Sequence, residues 1–247
     1  MSAEALRRGG IIAAGEGRRL RAAGWALPKA LVPVAGTPLV ERVIRNFQAA
    51  GIASLVIIVN ERSRECEPWL RARFPELDLQ VLVKTTASSL ESFQQVGARL
   101  GPGRAPISTV DAWCPASAFQ TFLDGARRCP ADATVLALTA LAEDERPLWA
   151  RLGQDGRVTG LGGASGDVVT AGMYLVPERV RRLSPPPEVH RLRDFLAWLF
   201  RRGEPIYGIV LPAVVDVDRA EDVAMAEALD RGEPPAARPG RAPGGPA

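Results

Sequence analysis

The hydrophobic and polar positions in the first half of the chain follow two alternating patterns. Short apolar runs typical of buried strands occupy residues 9–15, 54–60, 79–84, 105–113 and 133–141. Between them, apolar residues recur with helical spacing over residues 38–51, 61–74, 89–100 and 115–128. The second of these helices is expected to be interrupted near Pro68, because proline removes a helical hydrogen bond. Strands that alternate with helices of this length predict βαβ units and a mainly parallel sheet covered on both faces.

The second half of the chain changes to shorter elements. Strand-like pieces lie at residues 147–152, 157–161, 168–176 and 206–218, and helices at residues 191–202 and 220–230. We therefore predict an α/β fold: a single Rossmann-like three-layer domain over residues 1–231, with a mainly parallel mixed sheet and a small antiparallel elaboration in its second half. Residues 232–247 are rich in Pro, Gly, Ala and Arg, and a disordered tail is predicted there.

Composition narrows the class of protein. The 247 residues, 47% hydrophobic and 24% charged, suffice for one globular core. No apolar run approaches the roughly 18–20 residues that span a bilayer, and the apolar patch near the N-terminus runs into glycines and charges, unlike an export signal. Three widely separated cysteines give neither a disulfide framework nor a zinc motif. We expect a cytoplasmic protein with no membrane partner.

Histidine, arginine and lysine usage narrows the chemistry further. His190 is the only histidine, which excludes a multi-histidine metal site, and its arginine-rich surroundings favour the solvated surface. The net charge is +3, but the arginines are scattered instead of clustering with aromatic residues, so no nucleic-acid partner is expected. Lysine occurs only at Lys29 and Lys84. In a chain that otherwise uses arginine, a retained lysine indicates a need for a compact point charge.

A glycine loop follows the first predicted strand. The segment IIAAGEGRRL places Gly15 and Gly17 two positions apart, where glycine lets backbone amides approach a phosphate closely. Arg18 and Arg19 add donors for phosphate oxygens. The third glycine of a dinucleotide-binding fingerprint is absent, since Leu20 stands in its place, which weakens a dehydrogenase interpretation without eliminating it.

The next segment, PKALVPVAGTPL at residues 28–39, carries the most specific motif. With the glycine loop it resembles the opening of the sugar-phosphate nucleotidyltransferase superfamily, of GT-A-like fold. The matching residues are Gly15, Gly17, Arg19, Pro28, Lys29, Pro33, Gly36 and Pro38. The resemblance implies an enzyme whose loop wraps the triphosphate of an NTP, with Arg19 on the outer phosphates and Lys29 near the α-phosphate. It extends over residues 9–229, clearly at both ends and faintly between them.

Two acidic segments are candidates for a metal site. Nucleotidyl transfer needs positive charge around the α-phosphorus, and Mg²⁺ held by carboxylates supplies it. Asp111 ends a predicted strand and is the first candidate ligand, although Val110 replaces the glycine usual before it in the family. Capping of the helix near Pro115 is its alternative role. The resemblance implies that Asp216 is the second metal ligand, with Asp218 as the alternative candidate for that position.

The resemblance also suggests two substrate pockets. The nucleotide-binding candidates are Ala13, Ala14, Gly15, Glu16, Gly17, Arg18, Arg19, Lys29, Lys84, Thr86, Ser88 and Ser89. Helix capping is the alternative role of Ser88 or Ser89. The acceptor candidates are Thr170 and Gly172, in a segment that resembles the family's Asn-Ala-Gly-Ile-Tyr. The usual Glu-Lys-Pro segment is missing before it, which puts a standard hexose 1-phosphate contact in doubt.

The sequence thus predicts a Mg²⁺-dependent nucleotidyltransferase of NDP-sugar biosynthesis, with Arg19, Lys29 and Asp111 as catalytic residues. It would transfer a nucleoside monophosphate from an NTP to a phosphorylated small molecule, with a sugar 1-phosphate as the first expectation. Phosphocholine or another phosphoalcohol, used by a cytidylyltransferase, is the alternative acceptor. A non-catalytic nucleotide-sensing module and a Rossmann dehydrogenase are the remaining hypotheses. The expected partners are the NTP and the acceptor, and a homo-oligomer is compatible with the sequence.

Overall fold

The computed structural model describes residues 6–141 and 147–233, which include a sheet of nine strands and two small two-stranded ribbons. In chain order the strands are β1 (Arg8–Ala13), β2 (Pro33–Val34), β3 (Thr37–Pro38), β4 (Ser54–Val59), β5 (Asp78–Val83), β6 (Arg104–Thr109), β7 (Ala112–Trp113), β8 (Thr134–Thr139), β9 (Trp149–Leu152), β10 (Val158–Leu161), β11 (Val168–Pro177), β12 (Ile206–Leu211) and β13 (Val215–Asp216). The α-helices are α1 (Arg18–Ala22), α2 (Leu39–Ala49), α3 (Cys66–Arg73), α4 (Ser89–Gly97), α5 (Ala116–Arg128), α6 (Glu178–Arg181), α7 (Leu192–Arg201) and α8 (Ala220–Asp230).

The large sheet is mainly parallel. β1 lies between β4 and β6, β5 follows β4, and all these neighbours run parallel. β11 is antiparallel to both β6 and β8 and so joins the parallel pair β8 and β12 to the rest. The hairpin of β9 and β10 pairs with one end of β11. The predicted fold class, a mainly parallel mixed sheet with a small antiparallel elaboration, is confirmed.

The sheet separates two apolar layers, because successive side chains of a strand point to opposite faces. In β1, Ile11 belongs to one apolar cluster with Phe47 of α2. Its neighbour Ile12 belongs to the other cluster with Phe93 of α4 and Phe195 of α7, whose ring centroids lie 5.6 Å apart. Burying one such side chain contributes about 1.5–3 kcal/mol. Helices therefore cover both faces of the sheet, as the three-layer prediction requires.

Helix boundaries follow local signals. α2 is followed by Gly51, whose φ of 78° ends the helix in the left-handed region. The segment 61–74 is interrupted earlier than predicted, since a 3₁₀ turn covers Glu61–Ser63 and α3 begins at Cys66. Pro68 lies in the first turn of α3, where its missing N–H has no helical hydrogen bond to lose. The proline is therefore accommodated in the first turn of a helix and does not break it.

The strand predicted over residues 105–113 is broken. β6 ends before a turn at Val110 and Asp111, which leads into β7. β7 pairs antiparallel with β13, so that Asp216 lies across from the residue that follows Asp111. The Val217 N–H also donates to the Asp111 carbonyl at 3.0 Å. This ribbon brings the middle of the chain against the segment before α8.

The elements from β1 to α8 all lie within the domain predicted over residues 1–231. From residue 234 onward, the tail predicted over residues 232–247 lies outside the described residues. Across the described part of the chain, no helix is both long enough and apolar enough to cross a membrane.

Candidate functional site

A glycine loop leaves the carboxyl end of β1 and packs against a lysine. Gly17 precedes α1 with a φ of 61°, in the left-handed region that glycine enters without steric cost. A Cβ atom at Gly17 would lie 2.8 Å from the Cβ atom of Lys29, so a larger residue would have to displace the lysine. Glycine therefore meets two requirements here, the backbone turn and the close packing of Lys29.

Lys29 begins the 3₁₀ turn Lys29–Leu31 and is only 7% exposed. Its Nζ atom donates to Asp111 Oδ2 at 2.6 Å and to Asp218 Oδ1. Burial disfavours the charged amine, but the carboxylates of Asp111, Asp218 and Asp216 outweigh burial and raise the pKa of Lys29. Lys29 is therefore a buried ammonium group that stays charged among three carboxylates.

The three carboxylates come from two segments far apart in the sequence. One oxygen each of Asp111, Asp216 and Asp218 lies within 4.8 Å of the others. Asp111 is held in the turn between β6 and β7, Asp216 ends β13, and Asp218 lies just before α8. The buried Asp222 caps α8, and its carboxylate accepts the N–H groups of Asp218 at 2.9 Å and of Arg219 at 2.7 Å. Helix capping thus fixes the backbone that carries Asp218.

The donor set suits a hard divalent cation. Burial raises the pKa of the Asp111 carboxyl group, but the Lys29 ammonium group and the Thr109 hydroxyl lower it by more, so the net pKa is below its usual range. Three carboxylates facing one ammonium group offer oxygen donors and a surplus of negative charge, which is the ligand chemistry that Mg²⁺ prefers. Asp111, Asp216 and Asp218 are the residues that would hold such an ion.

The two arginines of the glycine loop have different partners. Arg19 donates to Asp218 Oδ2 at 3.3 Å, which connects the loop to the carboxylate cluster. Arg18 donates to Glu16, and its side chain is 83% exposed. The hydrogen bond and the charge of Arg18 hold the pKa of Glu16 below its usual range. The loop therefore presents cations both beside the cluster and at the solvent boundary.

A cavity of about 930 Å³ contains the glycine loop, the lysine and the carboxylate cluster. This volume is near the upper end of the range for small-molecule sites, about 300–1,000 Å³. The predicted site residues that line it are Ala14, Gly15, Glu16, Gly17, Arg18, Arg19, Lys29, Thr86, Ser88, Ser89, Asp111, Thr170, Gly172, Asp216 and Asp218. The structure therefore brings residues from both ends of the chain into one cleft.

Two predicted nucleotide-binding residues, Ala13 and Lys84, are not among the residues that line this cavity. The Ala13 side chain packs in the same apolar cluster as Ile11, because residues two apart on a strand share a face. The Nζ atom of Lys84 lies 2.7 Å from Glu91 Oε1. A contact of either residue with the nucleotide stays a prediction.

The start of α4 has a structural role as well as a place in the cavity wall. Ser88 Oγ accepts the Glu91 N–H at 3.2 Å, which is the helix-capping alternative considered for this residue. Ser89 Oγ accepts the Leu192 N–H at 3.0 Å. The two serines therefore cap α4 and tie it to the first turn of α7.

The opposite wall of the cavity is formed by β11. Gly172 lies at a register shift between β11 and β8, with a φ of 71°. A Cβ atom at Gly172 would lie 2.5 Å from Thr109 Oγ1, and the Thr109 hydroxyl hydrogen-bonds the Asp111 carboxylate. The glycine therefore leaves room for the residue that supports Asp111.

Asn60, Tyr174 and Arg193 also line the cavity and were not predicted from the sequence. Asn60 follows β4, is 2% exposed, and donates to the carbonyls of Ala14 at 3.1 Å and Gly15 at 3.4 Å. A polar residue that ends an apolar strand was the signal for it. The pattern gave no such signal for Arg193, which has the spacing of a solvated helix position. The predicted surface position of the single histidine agrees with the structure, where it is exposed.

Comparison with known protein families decides the assignment. Residues 9–167 match the model of a MobA-like NTP transferase domain. The chain belongs to this family. The predicted relationship to the nucleotidyltransferases is thereby confirmed, and the dehydrogenase hypothesis falls. The matched part of this MobA-like domain includes the glycine loop, Lys29 and Asp111 and ends before Asp216.

Among curated proteins, this MobA-like domain is similar to the bifunctional IPC transferase and DIPP synthase of Rubrobacter xylanophilus. The two are 28% identical over 235 residues, which cover 89% of this chain and 51% of that protein. A protein of the same name from Aquifex aeolicus is 44% identical over 52 residues, 21% of this chain and 12% of that protein. The chain thus spans about half the length of the first relative and a smaller part of the second.

Solved structures share the fold at low identity. The inositol-1-phosphate CTP transferase of T. maritima superposes with a TM-score of 0.79 at 16% identity, covering 94% of this chain and 99% of that one. A putative glucose-1-phosphate thymidylyltransferase from Bacillus anthracis has a TM-score of 0.76 at 18% identity, covering 91% of this chain and 95% of that one. A UDP-glucose pyrophosphorylase has a TM-score of 0.77 at 14% identity, covering 92% of this chain and 99% of that one. These likenesses confirm the Rossmann-like fold of the MobA-like domain.

Proposed function

We propose that this MobA-like domain is a Mg²⁺-dependent cytidylyltransferase, which transfers CMP from CTP to the phosphate group of a cyclic polyol 1-phosphate and releases pyrophosphate. One observation carries the proposal: Lys29 and the carboxylates of Asp111, Asp216 and Asp218 converge beside the glycine loop in one cavity. The name of the T. maritima protein supports CTP and inositol 1-phosphate as the first pair to test. The names of the other two structures support a sugar 1-phosphate as the second acceptor.

In this proposal the glycine loop binds the triphosphate. Its backbone amides and the guanidinium groups of Arg18 and Arg19 are donors for the outer phosphates. Asn60 holds the loop in place through its hydrogen bonds to two loop carbonyls. Lys29 neutralises the negative charge that develops at the α-phosphate during transfer.

Asp111, Asp216 and Asp218 are the proposed metal ligands. When bound, Mg²⁺ draws charge from the phosphate oxygens and helps to align them for in-line displacement. The pairing of β7 with β13 and the cap provided by Asp222 hold these carboxylates in place before any ligand arrives. Such preorganisation avoids the cost of gathering like charges during the reaction.

The proposed transfer requires no general base. An anionic oxygen of the acceptor phosphate forms a bond to the α-phosphorus of CTP. The bond from the α-phosphorus to the oxygen that bridges to the β-phosphorus breaks, and its electron pair leaves with pyrophosphate. No proton moves in this step, since the attacking oxygen carries the charge already. An exposed His190 that does not line the cavity is compatible with this chemistry.

Pyrophosphate release tests the proposal. The purified chain with Mg²⁺ is given each of the four NTPs together with inositol 1-phosphate, glucose 1-phosphate or phosphocholine. With CTP and inositol 1-phosphate we expect release of pyrophosphate and formation of CDP-inositol, which mass spectrometry detects. EDTA is expected to abolish both. Release with phosphocholine alone would reassign the acceptor to the phosphoalcohols. Binding of CTP without release for any acceptor would favour the nucleotide-sensing module instead.

A further inference from the structure

The cavity is lined by cations from two separate segments of the chain. Arg18, Arg19 and Lys29 belong to the glycine-loop end, which follows β1. Among the described residues that line the cavity, the other cations are Arg191 and Arg193, at the start of α7. Neither has a role in binding the nucleotide or the metal ion as proposed above. The cavity thus has a second cationic region beyond the one that the triphosphate uses.

Arg193 lines the same cavity as Thr170 and Gly172 of β11. In the sheet, β6 separates β1, which carries the glycine loop, from β11, which carries Tyr174. Tyr174 and Arg193 line the same cavity. Of the two arginines at the start of α7, Arg193 is half-buried and Arg191 is exposed. Arg193 therefore shares the cavity with β11, a strand that β6 separates from the strand leading into the glycine loop.

The first turn of α7 is held rigidly in this position. Its Leu192 N–H donates to Ser89 Oγ of α4 at 3.0 Å. Leu192, Phe195 and Leu196 are buried, and the Phe195 ring packs against Phe93 of α4. A site built on a packed helix keeps its side chains better positioned than one built on a loop. Arg193 follows Leu192 directly, so this packed helix holds Arg193 at the cavity from a fixed support.

In-line transfer dictates where the acceptor phosphate must lie. The attacking oxygen and the leaving pyrophosphate are on opposite sides of the α-phosphorus. With the outer phosphates on the glycine loop after β1, the acceptor phosphate approaches from the β11 side. A planar guanidinium group matches a phosphate through two parallel hydrogen bonds, which a point charge cannot do. Resting on the function proposed above, we propose that Arg193 binds the phosphate group of the acceptor and thereby selects phosphorylated acceptors.

Steady-state kinetics of Arg193→Gln test this assignment. Loss of a hydrogen bond to a charged group is expected to raise the KM for the acceptor by about 10- to 100-fold. The KM for CTP is expected to stay within about twofold, because the glycine-loop contacts are untouched. Arg201→Gln is the matched control, since Arg201 is an exposed arginine at the other end of α7 and does not line the cavity. Both KM values are expected to be unchanged in this control.

Arg193→Lys is the second variant, which keeps the charge and loses the planar fork. Its acceptor KM is expected to lie between those of wild type and Arg193→Gln. If circular dichroism shows that Arg193→Gln is unfolded, Arg193→Lys replaces it in the test. A wild-type acceptor KM in a folded Arg193→Gln protein overturns the inference, as does an equal rise in both KM values. A wild-type protein that is silent with every NTP and acceptor instead rejects the proposed function, and the inference with it.

Discussion

Lys29 Nζ donates a 2.6 Å hydrogen bond to Asp111 Oδ2 and a second hydrogen bond to Asp218. One buried ammonium group therefore connects the loop after β1, the turn between β6 and β7, and the segment before α8. Each of these charges would be costly to bury alone, because an unpaired ion loses its hydration without compensation. The cluster thus assembles as a unit, and a change to one member alters the environment of the others.

Asp111→Asn is expected to abolish turnover and to leave part of the nucleotide binding. The amide keeps the size of the side chain but removes the negative charge that a metal ion and Lys29 would both face. We expect kcat to fall by at least about 100-fold, the size seen when one preorganised electrostatic contact is lost. CTP should still raise the melting temperature, because the glycine loop is intact.

The control for this substitution is Asp124→Asn, which changes a half-exposed aspartate of α5 outside the cavity. It should retain the wild-type rate. Wild-type turnover in Asp111→Asn would place the metal site somewhere other than this cluster.

The loop end of the site could be predicted because its determinants are continuous in the sequence. Gly17 and Lys29 belong to one motif with fixed spacing, and the structure packs the two against each other. The layered fold was equally visible, since adjacent residues such as Ile11 and Ile12 are both apolar and must face two cores. The local sequence pattern was enough to predict those parts of the structure in which contacts are close in sequence or in which a side chain packs into one apolar layer.

The rest of the site depends on contacts between distant segments. The apolar pattern continues through Val110 and gives no sign of the turn there, which is stabilised by pairing with β13 from the other end of the chain. Lys84 shared the polar character of a binding residue, but its position beside Glu91 is set by the packing of α4. Arg193 has the spacing of a surface helix position, and only the docking of α7 on α4 turns it into the cavity.

Lys29→Met should make the protein depend on divalent cations for stability. The substitution leaves the carboxylates without their ammonium partner, so they repel one another. We expect the free energy of unfolding to fall by about 1–3 kcal/mol without metal, less than for a fully enclosed ion pair because the partner carboxylates are partly exposed. Mg²⁺ supplies the missing positive charge and should raise the melting temperature of this variant more than that of wild type.

Thermal melts of both proteins, without nucleotide and over a Mg²⁺ titration, provide the measurement. Lys84→Met is the matched control, because it removes the other lysine of the chain, whose partner Glu91 does not line the cavity. Its Mg²⁺ response should equal that of wild type. The same response in Lys29→Met would mean that Mg²⁺ does not bind among these carboxylates.

Gly17→Ala should impair catalysis through the position of Lys29. Gly17 and Gly24 both have left-handed φ values, 61° and 94°, so alanine is strained at either position by roughly 1–2 kcal/mol. A new Cβ atom at Gly17 would lie 2.8 Å from the Cβ atom of Lys29. A new Cβ atom at Gly24 would have no neighbouring atom within 4 Å. Displacement of a charge by about 1 Å can cost on the order of 100-fold in rate. We therefore expect both variants to lose stability and only Gly17→Ala to lose kcat strongly, as measured by pyrophosphate release and thermal melts. Equal losses of kcat in the two variants would attribute the effect to loop strain and remove the contact with Lys29 as its cause.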